Sequence, residues 1–133
     1  MKKLLLLLLS GILFGTGCGN GNIPLGGTVT YEDGTPLPYG NVIFATDTFQ
    51  ASGNIDSTGK YTMGSVTVND GLPEGTYKVY ITGASEEISG KNGSGTRSLI
   101  DPKYDNYSST PLTCEVPVPG KTFDITVPKN PKP

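Results

Sequence analysis

The side chains that could carry out chemistry in this chain are few, because its 133 residues include no histidine and two cysteines, Cys18 and Cys114. Without an imidazole, neither a Ser-His-Asp nor a Cys-His catalytic arrangement can form, and a zinc site built on histidine is excluded as well. Cys114 remains as a candidate nucleophile. Because it alternates with Leu112 and Val116 in an apolar pattern, we expect a buried, inert thiol rather than a reactive one.

Carboxylates offer a second route to chemistry, and they occur as two pairs. Glu86 and Glu87 are adjacent, and Asp101 is followed by Asp105. Either pair could form the two-carboxylate arrangement of a glycosidase, and Asp101, Asp105 and Asn106 together offer the hard oxygen ligands that calcium prefers. Adjacent acids in a loop are usually solvated, however, and the chain holds no Asp-x-Asp-x-Asp-Gly run. We therefore expect no enzymatic activity, no metal and no cofactor.

Four tyrosines could instead bind a ligand without catalysis. Tyr39, Tyr80, Tyr104 and Tyr107 are candidate stacking platforms for sugar rings, which would make the chain a carbohydrate-binding module. The absence of tryptophan, whose stacking face is the largest, counts against this alternative.

The N-terminus contains the clearest targeting signal. A basic pair precedes an apolar run over residues 4–14, which is too short to span the roughly 30 Å hydrocarbon core of a bilayer. Small residues follow at 15–17, and Cys18 comes next. This order predicts a cleavable signal peptide over residues 1–17. It resembles a bacterial lipobox, although Gly15 stands where lipoboxes usually carry an aliphatic residue.

The lipobox resemblance implies that Cys18 carries lipid and begins the mature chain. We expect a flexible tether over residues 18–23 and a protein that is lipid-anchored to the outer or inner membrane, facing the periplasm or the exterior. Two alternatives stay open: an ordinary secretory signal cut near Gly17, and a disulfide between Cys18 and Cys114.

Charge excludes one class of partner. Lys2 and Lys3 belong to the leader, and the eight basic and twelve acidic side chains that remain give a net charge of about −4. No basic stripe is present to neutralise phosphates, so nucleic acid is not an expected partner.

The rest of the chain predicts an all-β domain. Nineteen glycines and eleven prolines argue against long helices, and apolar residues recur with the period of two that marks strands. About seven strands predict a β-sandwich over residues 24–128, followed by a frayed tail over residues 129–133. The predicted strands cover residues 28–31, 41–45, 51–55, 60–63, 76–82, 112–116 and 123–127.

Residues 83–111 interrupt this pattern. They predict a long irregular connection whose glycine-rich first half is mobile and whose second half, from residue 100, packs against the edge of the sandwich.

Several motifs together resemble the carboxypeptidase-regulatory-like (transthyretin-like) domain. Its opening is similar to GTVTY, GTPLP and NVIF at residues 27–31, 34–38 and 41–44. Its Asp-x-x-Gly-x-aromatic turn is similar to residues 56–61, and its Pro-x-Gly-x-Tyr strand start to residues 73–77. Residues 100–104, 109–113 and 123–125 resemble small lipoproteins of planctomycetes and their relatives. The resemblance implies a seven-stranded prealbumin-like sandwich in an envelope lipoprotein of unassigned function.

Together these patterns predict a membrane-tethered, non-catalytic binding or structural module of the cell envelope. We expect a protein or polymer partner, bound through loops or a sheet edge, with residues 83–111 as the contact rather than the turn at residues 56–61.

Overall fold

The computed structural model describes residues 22–64, 70–91 and 93–131. The predicted signal peptide over residues 1–17, Cys18 and most of the predicted tether lie outside the described residues. Within the described ranges the chain is all-β, with nine strands and two short 3-10 turns, Pro102–Asp105 and Pro119–Lys121. The strands are β1 (Gly26–Tyr31), β2 (Gly40–Ala45), β3 (Gln50–Ile55), β4 (Lys60–Thr62), β5 (Gly75–Thr82), β6 (Ser85–Gly90), β7 (Gly93–Ser98), β8 (Leu112–Val116) and β9 (Ile125–Val127).

Two sheets form a sandwich-like arrangement. The larger is antiparallel with the order β3-β2-β5-β8, and the smaller has the order β4-β1-β9, in which β1 and β9 run parallel. Ser52 and Gly64 exchange backbone hydrogen bonds and so link the two sheets along one side. The predicted all-β class is confirmed, and each predicted strand overlaps an observed one.

Alternation along the strands builds the core between the sheets. In β5, Tyr77, Val79 and Ile81 are buried, whereas the residues between them are partly exposed. The Phe44 ring lies 5.9 Å from the ring of Tyr77 and 5.9 Å from that of Phe123. Burying one such side chain stabilises the fold by about 1.5–3 kcal/mol, so this inward row accounts for the choice of apolar residues in the strands.

Residues 83–111 differ most from the prediction. Instead of an irregular connection, their first half forms the hairpin β6–β7, paired from Ser85–Ser98 to Gly90–Gly93. Most of the hairpin is exposed on both faces, so neither strand needs the apolar alternation by which a half-buried strand is recognised. The prediction of an irregular connection was wrong for this reason.

The second half of the same stretch packs as predicted. Ile100 is fully buried and pairs with Lys129, and Tyr104 packs against the core. The tail predicted to fray from residue 129 is instead held at its first two residues, since the Asn130 amide donates to the Leu99 carbonyl at 3.1 Å. The base of the hairpin supplies these partners, which the composition of the tail does not reveal.

The turn between β3 and β4 is stabilised by the side chain of Asp56 and the backbone conformation of Gly59. Asp56 Oδ1 accepts hydrogen bonds from the amides of Thr58 and Lys60, at 2.8 and 3.0 Å. Gly59 has a φ of +84°, and a Cβ there would lie 2.6 Å from the Val29 carbonyl oxygen. Glycine is therefore required at this position both by backbone conformation and by space.

The two ends of the sandwich carry different parts of the chain. Ile23 pairs with Leu72, so the first described residues lie at the end where β5 begins. The hairpin leaves the opposite end, where β5 finishes at Thr82. The eight residues of β5, at about 3.3 Å each, separate the two ends by roughly 25 Å.

Candidate functional site

The hairpin β6–β7 presents two faces with different chemistry, because side chains alternate along a strand and paired residues share a face. The isoleucine face consists of Glu86, Ile88, Gly95 and Arg97. Glu86 and Arg97 form an ion pair across the strands, and each side chain is 38% exposed. Ile88 pairs with Gly95, so no cross-strand side chain covers it.

The opposite, hydroxyl face is made of Ser85, Glu87, Ser89, Ser94, Thr96 and Ser98. Glu87 lies on this face while Glu86 lies on the other. The adjacent acids therefore do not meet as a pair of facing carboxylates, and the glycosidase arrangement considered from the sequence is not formed by them.

A shallow cleft of about 240 Å³ separates the isoleucine face from the smaller sheet. Lys129 lies in its wall, with Nζ 3.0 Å from Asp33 Oδ2 and 5.1 Å from the centre of the Tyr31 ring. The hydroxyl and amide of Thr35 donate to Asp33, and together with Lys129 they hold the pKa of that carboxyl well below its ordinary value. This cluster has no signature in the sequence, because its members come from two separate parts of the chain, residues 31–35 and Lys129.

A second cleft, of about 390 Å³, lies beside the hydroxyl face. Its wall includes Thr82, Ser85, Thr96 and Asp105. Partial burial, and the charge of Asp101, raise the pKa of Asp105. This cleft offers hydroxyls and one carboxyl, without a basic group among its lining residues.

Two large apolar side chains are exposed among the described residues, and both lie at the hairpin. Ile88 is 44% exposed and Tyr39 is 40% exposed. The Tyr39 hydroxyl donates to the Ser85 carbonyl at 3.1 Å, which places the ring beside the start of β6. A lone isoleucine within a glycine- and serine-rich stretch is the sequence signal that could have identified this surface.

The other candidate tyrosines are engaged in packing. The rings of Tyr80 and Tyr107 meet edge to face, 6.3 Å apart. Lys78 Nζ lies 4.7 Å from the centre of the Tyr107 ring, and the Tyr107 hydroxyl donates to Asp47 at 2.8 Å. A depression of about 370 Å³ on the outer face of the larger sheet borders this cluster. Tyr104 lies apart from it, partly buried against the core.

The candidate calcium ligands serve the local backbone. Asp101 accepts from the Lys103 amide at 3.1 Å and starts the turn Pro102–Asp105. Asn106 Oδ1 accepts from the Ser108 amide at 3.0 Å. In residues 22–64, 70–91 and 93–131, no three histidine, cysteine or acidic side chains group together so that they could hold a metal ion.

Cys114 is buried, as its alternation with Leu112 and Val116 predicts. Its side chain is 4% exposed and forms no disulfide with a described residue. Burial raises the pKa of the thiol to about 11, so the nucleophilic thiolate is disfavoured near neutral pH.

No family model, curated protein or solved structure matches this chain. Within the part of the chain that the structure describes, no helix has the length and apolar character needed to cross a membrane.

Proposed function

We propose that the chain is a lipid-anchored, non-catalytic binding module of the bacterial cell envelope, which presents the hairpin β6–β7 to its partner. Residues 1–17 act as the signal peptide, and Cys18 is the lipid-attachment residue. The observation that carries the proposal is the placement of the first described residues, near Ile23, and the hairpin at opposite ends of the sandwich. A tether at the first end directs the hairpin away from the membrane.

The fold proposed for the module is that of the carboxypeptidase-regulatory-like domain, with a seven-stranded prealbumin-like sandwich formed by the strands other than β6 and β7. The motif at residues 56–61 supports this assignment, because Asp56 and Gly59 act in the turn as that resemblance requires. The hairpin is then an insertion on a rigid scaffold, which is where binding surfaces commonly develop.

A binding role fits the chemistry of the hairpin better than catalysis does. Exposed apolar side chains favour recognition by another protein surface, and Ile88 and Tyr39 supply them here. Glu86 is neutralised by Arg97, and the Cys114 thiol is buried away from the hairpin.

Carbohydrate binding is a second candidate function, and one observation favours it. The depression of about 370 Å³ is bordered by Tyr107, Asp47 and Lys78, which are an aromatic ring and two polar groups of the kind that hold sugars. Tyr107 is already covered by Lys78 and Tyr80, so protein recognition through the hairpin is preferred. A glycan array separates the two, because specific binding of a glycan that is lost in Tyr107→Ala would favour the second.

The hairpin is tested by replacing residues 85–97 with a short Gly/Ser linker and capturing crosslinked partners from native membranes. We expect the partner recovered with the wild-type chain to be lost. Ser57→Arg is the matched control: Ser57 is exposed in the turn at the same end of the sandwich, and its substitution should leave capture unchanged. Equal capture by the linker variant and the wild-type chain would contradict the proposal.

A further inference from the structure

We propose that the outer edge of β6 binds an extended strand of a different protein, in which apolar residues alternate with basic ones. This inference rests on the proposed binding role of the hairpin and specifies the chemistry of the partner.

The register of the hairpin determines which backbone groups face outward. The Leu99 amide donates to the Ala84 carbonyl at 2.8 Å, which extends the ladder below the Ser85–Ser98 pair. Hydrogen-bonded and non-hydrogen-bonded pairs alternate in an antiparallel ladder. The amides and carbonyls of Glu87 and Ser89 therefore point outward from β6, away from β7.

The same alternation directs two backbone positions of β7 outward, at Ser94 and Thr96. The base of the hairpin confirms the pattern on both edges. The Ser85 carbonyl accepts from Tyr39, and the Ser98 carbonyl accepts from the Asn130 side chain at 2.9 Å. At the base of the hairpin, the outward carbonyl of each strand is therefore already hydrogen-bonded. Further along, each strand has two residues whose amide and carbonyl face outward.

Apolar exposure distinguishes the two edges. Tyr39 lies against the base of β6, and Ile88 belongs to β6 itself. On β7, Gly93 and Gly95 have nothing within 4 Å of the position that a Cβ would take. A strand added to β6 would bury part of both exposed apolar side chains, whereas a strand added to β7 would meet glycine. Main-chain hydrogen bonds with alternate side-chain contacts are how strand addition obtains affinity and specificity.

The charge of Glu87 indicates which residues the partner strand carries on its other face. Glu87 is exposed on the hydroxyl face and forms no ion pair with a described residue, so it favours lysine or arginine opposite it. In an added strand, apolar residues would then meet Ile88 on one face while basic residues meet Glu87 on the other. Charge complementarity with Glu87 favours a different, basic chain over a second copy of β6 paired about Glu87, which would oppose two carboxylates.

The full mature chain is tested with two synthetic probes. One is an eight-residue peptide that alternates valine and lysine, and the other alternates valine and glutamate. We expect the lysine peptide to slow hydrogen exchange at the amides of Glu87 and Ser89, and to bind roughly tenfold more tightly than the glutamate peptide. Protection of Ser94 and Thr96 instead, or equal binding of the two peptides, would overturn the proposal.

Two proline variants separate the edges. Glu87→Pro and Thr96→Pro each remove an outward amide that the hairpin itself does not use, and proline is tolerated at such edge positions. We expect Glu87→Pro to abolish binding of the lysine peptide and Thr96→Pro to retain it. The reverse result, or binding by both variants, would exclude the β6 edge.

If both proline variants lose binding, the Glu87→Lys variant distinguishes the β6 edge from the β7 edge, because this substitution leaves the backbone amides unaltered. A preference switched to the glutamate peptide supports the β6 edge, and an unchanged preference contradicts it.

Dimerisation of the free chain that Glu87→Pro removes would also overturn the proposal, since the occupant would be a second copy. Capture lost in the linker variant but unaffected by Glu87→Pro would leave the binding role of the hairpin standing while this inference fails.

Discussion

Three side chains with the potential for chemistry are buried or already bonded in the described residues. Cys114 lies in the core, Glu86 is paired with Arg97, and Asp56 is committed to its turn. The sequence predicted the burial of Cys114 from local alternation, and Asp56 serves a turn whose motif the sequence also shows. It did not predict the Glu86–Arg97 pair, which depends on the register of a hairpin that lacks an apolar pattern.

The Cys114 thiol should react slowly with thiol reagents until the domain unfolds. In a Cys18→Ser chain, where Cys114 is the remaining cysteine, labelling at neutral pH should accelerate sharply in denaturant. Fast labelling of the native chain would mean that the inward face of β8 is misassigned.

The same thiol should make stability depend on alkaline pH. Its pKa rises from an ordinary 9.0 to about 11 in the folded chain, so the unfolded chain loses its proton first as the pH increases. The free energy of unfolding should therefore fall between about pH 9 and pH 11. Thermal melts of the Cys18→Ser chain and its Cys114→Ala derivative, recorded across this pH range, measure the loss of stability. The derivative should lack the part of the loss that is due to the Cys114 thiol.

Gly59 and Gly34 form a matched pair for testing backbone strain. Both have positive φ, at +84° and +89°, but a Cβ would lie 2.6 Å from the Val29 carbonyl oxygen at Gly59 and near nothing at Gly34. Gly34→Ala should cost about 1 kcal/mol of stability, and Gly59→Ala roughly 1–3 kcal/mol more. Denaturant titration measures both, and equal losses would show that the close contact does not matter.

Among the elements, the seven strands of the sandwich were predictable and the hairpin was not. Strands such as β5 bury one side, so their apolar residues alternate and mark them in the sequence. The pairing of β6 with β7 is local and exposed, and nothing selects for alternation there. The proposed binding surface is therefore the part of the molecule that sequence patterns describe least well.

The hairpin should contribute little to the stability of the sandwich. Residues 85–97 include no buried side chain among those that the structure describes, so their replacement by a Gly/Ser linker removes few apolar contacts. We expect the melting temperature of the linker variant to stay within about 4 °C of wild type. A much larger loss would indicate that the hairpin is part of the folding unit, and capture data from that variant would then report on folding.

For the molecule as a whole, the proposed function depends on the two ends of the sandwich having different roles. The first described residues, near Ile23, lie at one end and the hairpin leaves the other. This polarity could not be predicted from the sequence, because it depends on how the smaller sheet, which contains β1, packs against the larger sheet, which contains β5. In the proposed function, a lipid anchor at the N-terminus would let the module project a strand edge from a membrane surface.

The identity of the first residue of the mature chain tests the lipid-anchored account most directly. Intact mass spectrometry of the protein extracted from bacterial membranes should find a chain that begins at Cys18 and carries the added mass of acyl groups. Cys18→Ala should abolish that species and leave the protein either uncleaved or in the soluble fraction. A wild-type chain that is soluble, begins at another residue and keeps Cys18 as a free thiol or a disulfide would contradict the account.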